Sequence, residues 1–593
     1  MAQYDEHLKV SSSHSFTLPV TQNASDMAEQ TPLHSDTRGN PITGILLALV
    51  YTAFAAVCGS LSQLTLAPVY GSIPAAAQHD SIFRWALLLA FLGKDTILQY
   101  LPSNPKRYLS VFAFYVPLLQ FFFFRDSNRI GVSIGPATTE SLTYFPIVVL
   151  CGLCISDSLE RLPIFKSRPQ LQVVVGVTVY FTLSFGEPLV GRFISGLPLY
   201  ADLPIPSQYL SKVNLQLATA ALATPLSPSW MTFLAVPAIY HATQYNIHFM
   251  SPHHTSLLNA TLLPKQWSII DRQESITGYV SVLESHEQQY RVLRCDHSLL
   301  GGEWLPSQER IADGITNNEP IYAVFAMLEA VRLVEVAGDT KLDSEKNALV
   351  IGAGVGTAPK ALLAHGIETT IVELDPVVHG FAQKYFGLPK NHTAILQDAV
   401  SWIDSGAISA GSMSNYDFII HDVFTGGAEP LDLFTESFLR NLRALLNPEG
   451  VVAINYAGDA STAPAKQVLS TVNRVFEGKC RLFRDHPPEG EDSAFSNMVI
   501  FCLNPTSKRA SRPLSFRQPV QADYLGSISR QNYLLPRADL EIRFPSHEEM
   551  AGEKFQIITK DNVGKFRKEQ LESAKKHWKI MREVVPAFVW ENW

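Results

Sequence analysis

The chain has 593 residues, with 47 Lys and Arg against 55 Asp and Glu, a formal net charge of −8. The length exceeds one domain at ~150 residues each, and the charged fraction of 17% falls well below the roughly 25% usual in soluble proteins, which excludes a disordered chain and argues against a wholly soluble one. The acidic balance excludes the basic footprint of a nucleic-acid binder, and six Cys in this length exclude a disulfide scaffold.

Residues 1–40 mix Ser, Thr, Gln and His without periodicity, which predicts a disordered tail. No apolar core follows a short basic start, so the tail does not resemble a signal peptide. Residues 41–250 are of a different composition, with roughly one charged residue in eleven against the usual quarter. Pro41–Ala67 holds no charge and is long enough to span a bilayer, which takes ~20 apolar residues. Further predicted spans are Ile82–Leu101, Tyr108–Phe124, Leu142–Ile155, Leu171–Phe185 and Trp230–Tyr245, with Tyr209–Thr224 as a weaker one. Lys94 and Asp95 interrupt the second span; side by side, they partly neutralise each other near a helix end and snorkel to the interface. Cys151 and Cys154 form a C-x-x-C inside an apolar span without further ligands nearby, so they read as small buried residues and not as a zinc site.

Basic residues in short loops set orientation. Lys106 and Arg107 in the second loop, with Arg161, Lys166 and Arg168 in the fourth, place those loops and the N-terminal tail inside. Six spans return the C-terminal half to the inside; a seventh, through Tyr209–Thr224, puts it outside.

From Ser251 the composition is ordinary. Gly278–Leu283 and Tyr290–Cys295 are short and β-rich, as in hairpins, and Ile321–Val336 has helical apolar spacing. Asn347–Ile351 then forms an apolar strand running into Gly352-Ala-Gly354-Val-Gly356-Thr357, with a helix from Ala358. Strand, glycine-rich turn and helix bring backbone N–H groups close to a ligand. The strand Thr369–Val372 ends in Glu373, about twenty residues on, where a carboxylate can accept both hydroxyls of a ribose. Thr393–Leu396 leads to Asp398, placed to accept from an exocyclic adenine amine. Tyr416–Ile420 ends in His421 and Asp422, a helix Asp432–Leu446 follows, Asn447–Gly450 makes a turn, and Val451–Tyr456 is a fifth strand. The alternation predicts a doubly wound parallel sheet whose acids lie at the carboxyl ends of strands, where such sheets bind ligands.

Residues 265–505 resemble the spermidine/spermine synthase (polyamine aminopropyltransferase) family through the β-rich lead-in, Glu319-Pro-Ile-Tyr322, Gly352–Thr357, Val372–Asp375, Gln397-Asp398-Ala399 and Tyr416–Asp422. The resemblance implies a class I fold of the S-adenosylmethionine (AdoMet) type with a small β lead-in, and a sulfonium nucleoside donor, either AdoMet or its decarboxylated form, with no metal. It gives Gly352, Gly354 and Gly356 to the donor, Glu373 to the ribose, Asp398 to the adenine, Asp422 to deprotonation of the attacking amine and Tyr322 to the acceptor pocket. Three family acids are replaced. Val355 stands for the Asp that grips the amine of decarboxylated AdoMet, Thr425 for a second acid in the acceptor loop, and Val324 for a Glu two residues after the gate tyrosine. A dicationic amine in a partly dry pocket needs such partners, so the departures favour methyl over aminopropyl transfer.

The expected organisation is a tail at 1–40, a multi-pass bundle of about six spans at 41–250, a β-rich lead-in and gate helix at 251–345, the catalytic domain at 346–505, and a basic linker with a helical tail at 506–593. Phe566–Val584 reads as a basic helix that docks on the protein or lies on an anionic membrane surface. The expected function is that of a membrane-embedded alkyl transferase acting on a small-molecule or lipid-soluble amine, its catalytic domain facing the cytosol, where AdoMet-type donors are made. The alternatives are a true polyamine aminopropyltransferase and a non-catalytic nucleoside sensor or transporter.

Overall fold

The computed structural model describes residues 41–593 apart from 102–103, 161, 169, 198–209, 227, 337–340, 405–415, 424–426, 428–429, 488–494, 507–512 and 545–556. The predicted tail and most of the basic linker lie outside the described residues.

The first half is a helical bundle: α1 (Pro41–Tyr70), α2 (His79–Leu92), α3 (Lys106–Arg125), α4 (Gly135–Leu142), α5 (Tyr144–Glu160), α6 (Leu171–Gly196), α7 (Lys212–Ala223) and α8 (Val236–Gln244). Among the described residues four helices are long and apolar enough to cross a membrane, namely Ile42–Tyr70, Lys106–Arg125, Gly135–Glu160 and Leu171–Gly196. The other expected spans are broken. The run predicted over Ile82–Leu101 stops at Gly93 and restarts as a short helix at Lys94. The run over Trp230–Tyr245 opens with a 3-10 turn before α8. Lys94 pairs with Glu160 of α5 and not with Asp95. Cys151 and Cys154 are free and lie in the bundle core, as small buried residues do.

The bundle has two distinguishable ends. At one end, Gly44 packs against the Ser158 carbonyl, Lys106 Nζ meets Asp157 Oδ2 at 2.9 Å, and Lys94 meets Glu160. At the other, the carbonyls of Pro68 and Val69, at the close of α1, accept from Arg294 at 2.6 Å and Trp578 at 3.0 Å of the second half. The Lys212 amide at the start of α7 donates to Glu274 at 2.9 Å, and Arg272 donates at 2.8 Å to the carbonyl of Ile247, just past α8. Segments α7 and α8 therefore leave and return at the same end. The start of α1 and the second half of the chain thus lie at opposite ends of the bundle. Of the two expected paths, six spans return them to the same end, and a seventh through Tyr209–Thr224, the run that contains α7, separates them.

A polar knot ties four bundle elements together. His79 Nδ1 meets Glu140 at 2.7 Å and its Nε2 meets Glu187 at 2.7 Å, while Tyr144 donates to Glu187 at 2.5 Å. All four residues are buried, and mutual pairing is how charges persist in an apolar bundle.

The second half starts with an antiparallel five-stranded sheet, β1 (Trp267–Ser275), β2 (Gly278–Ser285), β3 (Tyr290–Cys295), β4 (Ser298–Trp304) and β5 (Glu319–Pro320), followed by α9 (Ala323–Leu328). The gate helix expected over Ile321–Val336 is shorter, α9 passing into a 3-10 turn at Glu329–Leu333. An eight-stranded sheet follows: β6 (Asn347–Ile351), β7 (Glu368–Glu373), β8 (Thr393–Leu396), β9 (Tyr416–His421), β10 (Leu446–Asp459), β11 (Cys480–Arg484), β12 (Phe495–Leu503) and β13 (Glu541–Ile542). Its order is β13-β11-β12-β10-β9-β6-β7-β8. The pairs from β8 through β10 are parallel, while β11, β12 and β13 close the sheet antiparallel. Helices α10 (Thr357–Ala364), α11 (Pro376–Tyr385), α12 (Glu436–Ala444) and α13 (Ala463–Val475) connect the strands. The expected helix over Asp432–Leu446 is the shorter α12, and the Asn447–Gly450 turn is a register break inside β10. The chain runs from β6 out to β7 on one side and returns to β9 on the other. That reversal opens a crevice at the carboxyl ends of the strands.

The C-terminal segment forms α14 (Arg567–Val584) and α15 (Ala587–Glu591). It docks: Trp578, Met581, Trp590 and Trp593 are all buried.

Candidate active site

A cavity of about 470 Å3 opens at the carboxyl ends of β6, β7, β9 and β10, within the size range of small-molecule sites. It gathers Gly352, Gly354, Glu373, Asp398, Asp422 and Tyr322 from separate elements. Gly356 caps α10 with φ +81° and stands behind the cavity wall.

The glycine loop turns sharply between β6 and α10. Gly352 has φ +84°, and a Cβ there would meet the Asp422 carbonyl at 2.1 Å, so glycine alone lets the loop pass β9 this closely. Glu373 follows at the end of β7. One of its oxygens accepts from the Ala353 amide at 2.7 Å and the other from the Asp375 amide at 2.9 Å. Burial pushes its carboxyl upward while these amides hold it down. The Leu374 backbone also favours the charged form, and the carboxylate lines the cavity. Asp375 does different work. It caps α11 through Val377 N at 2.8 Å and takes Ser275 Oγ at 2.6 Å, tying the antiparallel sheet to the catalytic one. Asp398 caps the turn after β8, accepting from the amide and hydroxyl of Ser401 at 2.8 and 2.7 Å.

Asp422 follows β9, enclosed by protein but open to the cavity. Burial raises its carboxyl to about 6, against the opposing pull of a hydrogen bond from Asn455. Asn455 Nδ2 donates to Asp422 Oδ1 at 2.8 Å. Asn455 lies one residue past Ile454, which pairs with His421 in the parallel β9/β10 register. It was legible only as a lone polar residue in the apolar run Val451–Tyr456. Tyr322, at the start of α9, stands edge-on to Phe325 with ring centroids 5.7 Å apart, and burial raises its phenol.

Two of the replaced family positions have clear settings. Val324 is buried and lines the cavity. Val355 is not among the lining residues. It packs with Val280, Leu293 and Phe381 between the glycine loop and the antiparallel sheet. Thr425 lies outside the described residues. Sequence reasoning missed one whole wall, built by His486 and Phe495–Asn497 around β11 and β12 and by His577, Ile580, Met581 and Val584 of α14. No motif marks a wall that the chain reaches more than a hundred residues after the glycine loop.

The profile of the spermine/spermidine synthase domain matches residues 329–483. The chain is 40% identical over 539 residues, 89% of its own length and 94% of the relative's, to the N-terminal histidine N-methyltransferase of Emericella nidulans. This chain belongs to the same family as that methyltransferase and carries a spermine/spermidine synthase domain. Another relative, the human eEF1A lysine and N-terminal methyltransferase, is 30% identical over 177 residues, covering 28% of this chain and 24% of that protein. Among solved structures, a probable spermidine synthase from Corynebacterium glutamicum covers 44% of this chain and 94% of that chain, with a TM-score of 0.32 and 17% identity. The family member described here is an AdoMet-dependent alkyl transferase, and AdoMet is its co-substrate. Its cavity sets a close backbone turn beside Glu373, Asp398 and Asp422, carboxylates that end or follow strands of the parallel part of the sheet.

Proposed function

We propose that this chain is a membrane-embedded N-methyltransferase that moves the methyl group of AdoMet to a nitrogen of a polypeptide's N-terminal histidine. One observation carries the reading: 40% identity sustained over 89% of the chain with a relative whose name states that activity. The altered acids support methyl over aminopropyl transfer. Val355 is turned into an apolar cluster and Val324 is a valine in the cavity wall, so neither supplies the carboxylate that a free ammonium requires.

Bound AdoMet supplies a methyl group on a positively charged sulfur, which departs as the neutral thioether. In this reading Glu373 receives the ribose hydroxyls, Asp398 the adenine amine, and the Gly352–Gly356 loop offers backbone N–H groups to the amino-acid end. Asp422 accepts the proton that the nitrogen sheds as its new N–C bond forms, and its raised carboxyl suits a base working near neutrality. Asn455 holds that carboxylate in place. Tyr322 and Phe325 bound the acceptor side. Positioning contributes most of the acceleration, with base assistance adding perhaps 10²–10⁴-fold.

Membrane embedding belongs to the same proposal. Its support is the four long apolar helices and the exposed side chains of Leu46, Trp85, Phe122, Phe185, Phe193 and Phe233. So large an apolar surface calls for lipid.

The test is an assay of the purified full chain in detergent with methyl-labelled AdoMet and short peptides. Label on a peptide beginning with histidine, and none on its N-acetylated form, is the expected result. Aminopropyl transfer from decarboxylated AdoMet to a diamine, without methylation of any peptide, establishes the synthase reading in its place. Release of the protein by carbonate washing without detergent removes the membrane claim.

A further inference from the structure

The catalytic sheet contains a disulfide. Cys480 of β11 and Cys502 of β12 face each other in the antiparallel register and are bonded. Such bonds persist in oxidising compartments and are rare in the cytosol. A second, independent observation is the path of α1. Its 30 residues extend about 45 Å at 1.5 Å each, more than the ~30 Å of a hydrocarbon core, and its far end abuts the catalytic half at Arg294 and Trp578. The third is charge. The segments at the end of the bundle where α1 starts carry Lys94, Lys106, Arg107, Lys166 and Arg168, whereas the catalytic end carries Arg125, Arg129 and Lys212. Excess Lys and Arg marks the cytosolic side.

We propose that the catalytic domain works on the non-cytosolic, oxidising face of the membrane, and that Asn391 is its N-glycan acceptor. The inference rests on the membrane reading above and reverses the cytosolic orientation expected from the sequence. Asn391-His392-Thr393 is an N-x-Thr acceptor on the loop leading into edge strand β8, with Asn391 and Thr393 both exposed. It sits at the amino end of that strand, away from the cavity. Asn259-Ala-Thr261 has the same pattern, but both polar atoms of the Asn259 amide are bonded to the Ile269 backbone at 2.8 and 3.0 Å. Asn23-Ala-Ser25 lies in the segment that leads into α1, so it belongs to the opposite face.

The covalent steps balance with reagents of known class. The Asn391 amide nitrogen attacks the anomeric carbon of a lipid-linked oligosaccharide and displaces the lipid pyrophosphate. One N–C bond forms, one C–O bond breaks, and the lipid pyrophosphate leaves with the amide proton. Cys480 and Cys502 give two electrons and two protons to an oxidising disulfide by exchange. The donor supply follows too. AdoMet carries a sulfonium, an ammonium and a carboxylate, and such charges do not enter hydrocarbon unaided. A carrier-type transport step must therefore deliver AdoMet to this face and remove the demethylated nucleoside.

The experiment expresses the full chain, tagged at its C-terminus, in a fungal host and isolates sealed microsomes. The expected results are a tag protected from protease until detergent is added, a mobility shift on glycosidase treatment that Asn391→Gln abolishes and Asn23→Gln leaves intact, and maleimide labelling of Cys480 and Cys502 only after reduction. Digestion of the tag in sealed vesicles, or a glycan that follows Asn23, overturns the orientation. A protected tag on an unglycosylated chain overturns the Asn391 assignment alone. Carbonate extraction of the same vesicles tests the membrane reading separately.

Discussion

Asn455 Nδ2 donates a 2.8 Å hydrogen bond to Asp422 Oδ1, joining β10 to the residue that follows its parallel neighbour β9, and both line the cavity. This bond favours the ionised carboxylate, while burial favours the protonated one, and the balance leaves Asp422 near 6. A base acts only when deprotonated, so activity should fall as pH drops through about 6. Asn455→Ala removes the bond. Hydrogen bonds to charged groups are worth ~1.5–3 kcal/mol, and 1.36 kcal/mol is one pKa unit, so the acidic limb of the kcat profile should move up by about one unit or more. An unmoved limb in a folded variant would separate Asp422 from proton transfer.

Glu373 holds the glycine loop and its own strand end at once. Glu373→Gln keeps the size but loses the charge, and its amide nitrogen repels one of the two N–H donors. Losing charge-assisted hydrogen bonds costs ~1.5–3 kcal/mol, so AdoMet affinity measured by calorimetry should weaken roughly tenfold or more. Equal affinity in the variant and the parent would remove Glu373 from the donor site.

Val355 matches an acid of the family's donor loop, which suggests that Val355→Asp converts the enzyme to decarboxylated AdoMet. The structure argues otherwise. Val355 is 2% exposed and packed among Val280, Leu293 and Phe381, so the substitution buries an unpaired carboxylate in apolar surroundings. Such burial costs several kcal/mol. The expected outcome is a lowered melting temperature with no gain in affinity for decarboxylated AdoMet, read by thermal denaturation and competition titration on the same preparation.

Arg294 is the bolt between three parts of the chain. Its guanidinium donates to the carbonyls of Pro68 in α1, Asp296 after β3 and Val589 in α15 at 2.6, 2.7 and 3.0 Å, and it lies 4.7 Å from the Trp590 ring. Arg294→Met retains bulk but strands these carbonyls, at ~1–3 kcal/mol for each buried unpaired group. We expect α14 and α15 to become protease-sensitive in detergent, with acceptor KM raised more than AdoMet affinity is lost, because α14 walls the cavity but does not hold the nucleoside loop.

Local pattern was enough to place the candidate nucleoside residues that the structure gathers on one cavity. Glu373 closes a strand, and Gly352, Gly354, Asp398 and Asp422 follow within three residues of one; a parallel sheet forces such strand ends to one edge. That determination is local, because period and turn chemistry act over a few residues. The sequence also showed that residues 41–250 are apolar and that its basic loops share one face. Only the tertiary structure decided which end of the bundle meets the catalytic half. The hairpin from α7 to α8, which leaves and returns at one end, sets the parity of the path, and no local signal fixes it. It likewise decided that Asn455 supports Asp422, that Cys480 meets Cys502 and that α14 closes the cavity. Those pairings join residues tens to hundreds of positions apart, and they form only when the sheet and the bundle have packed.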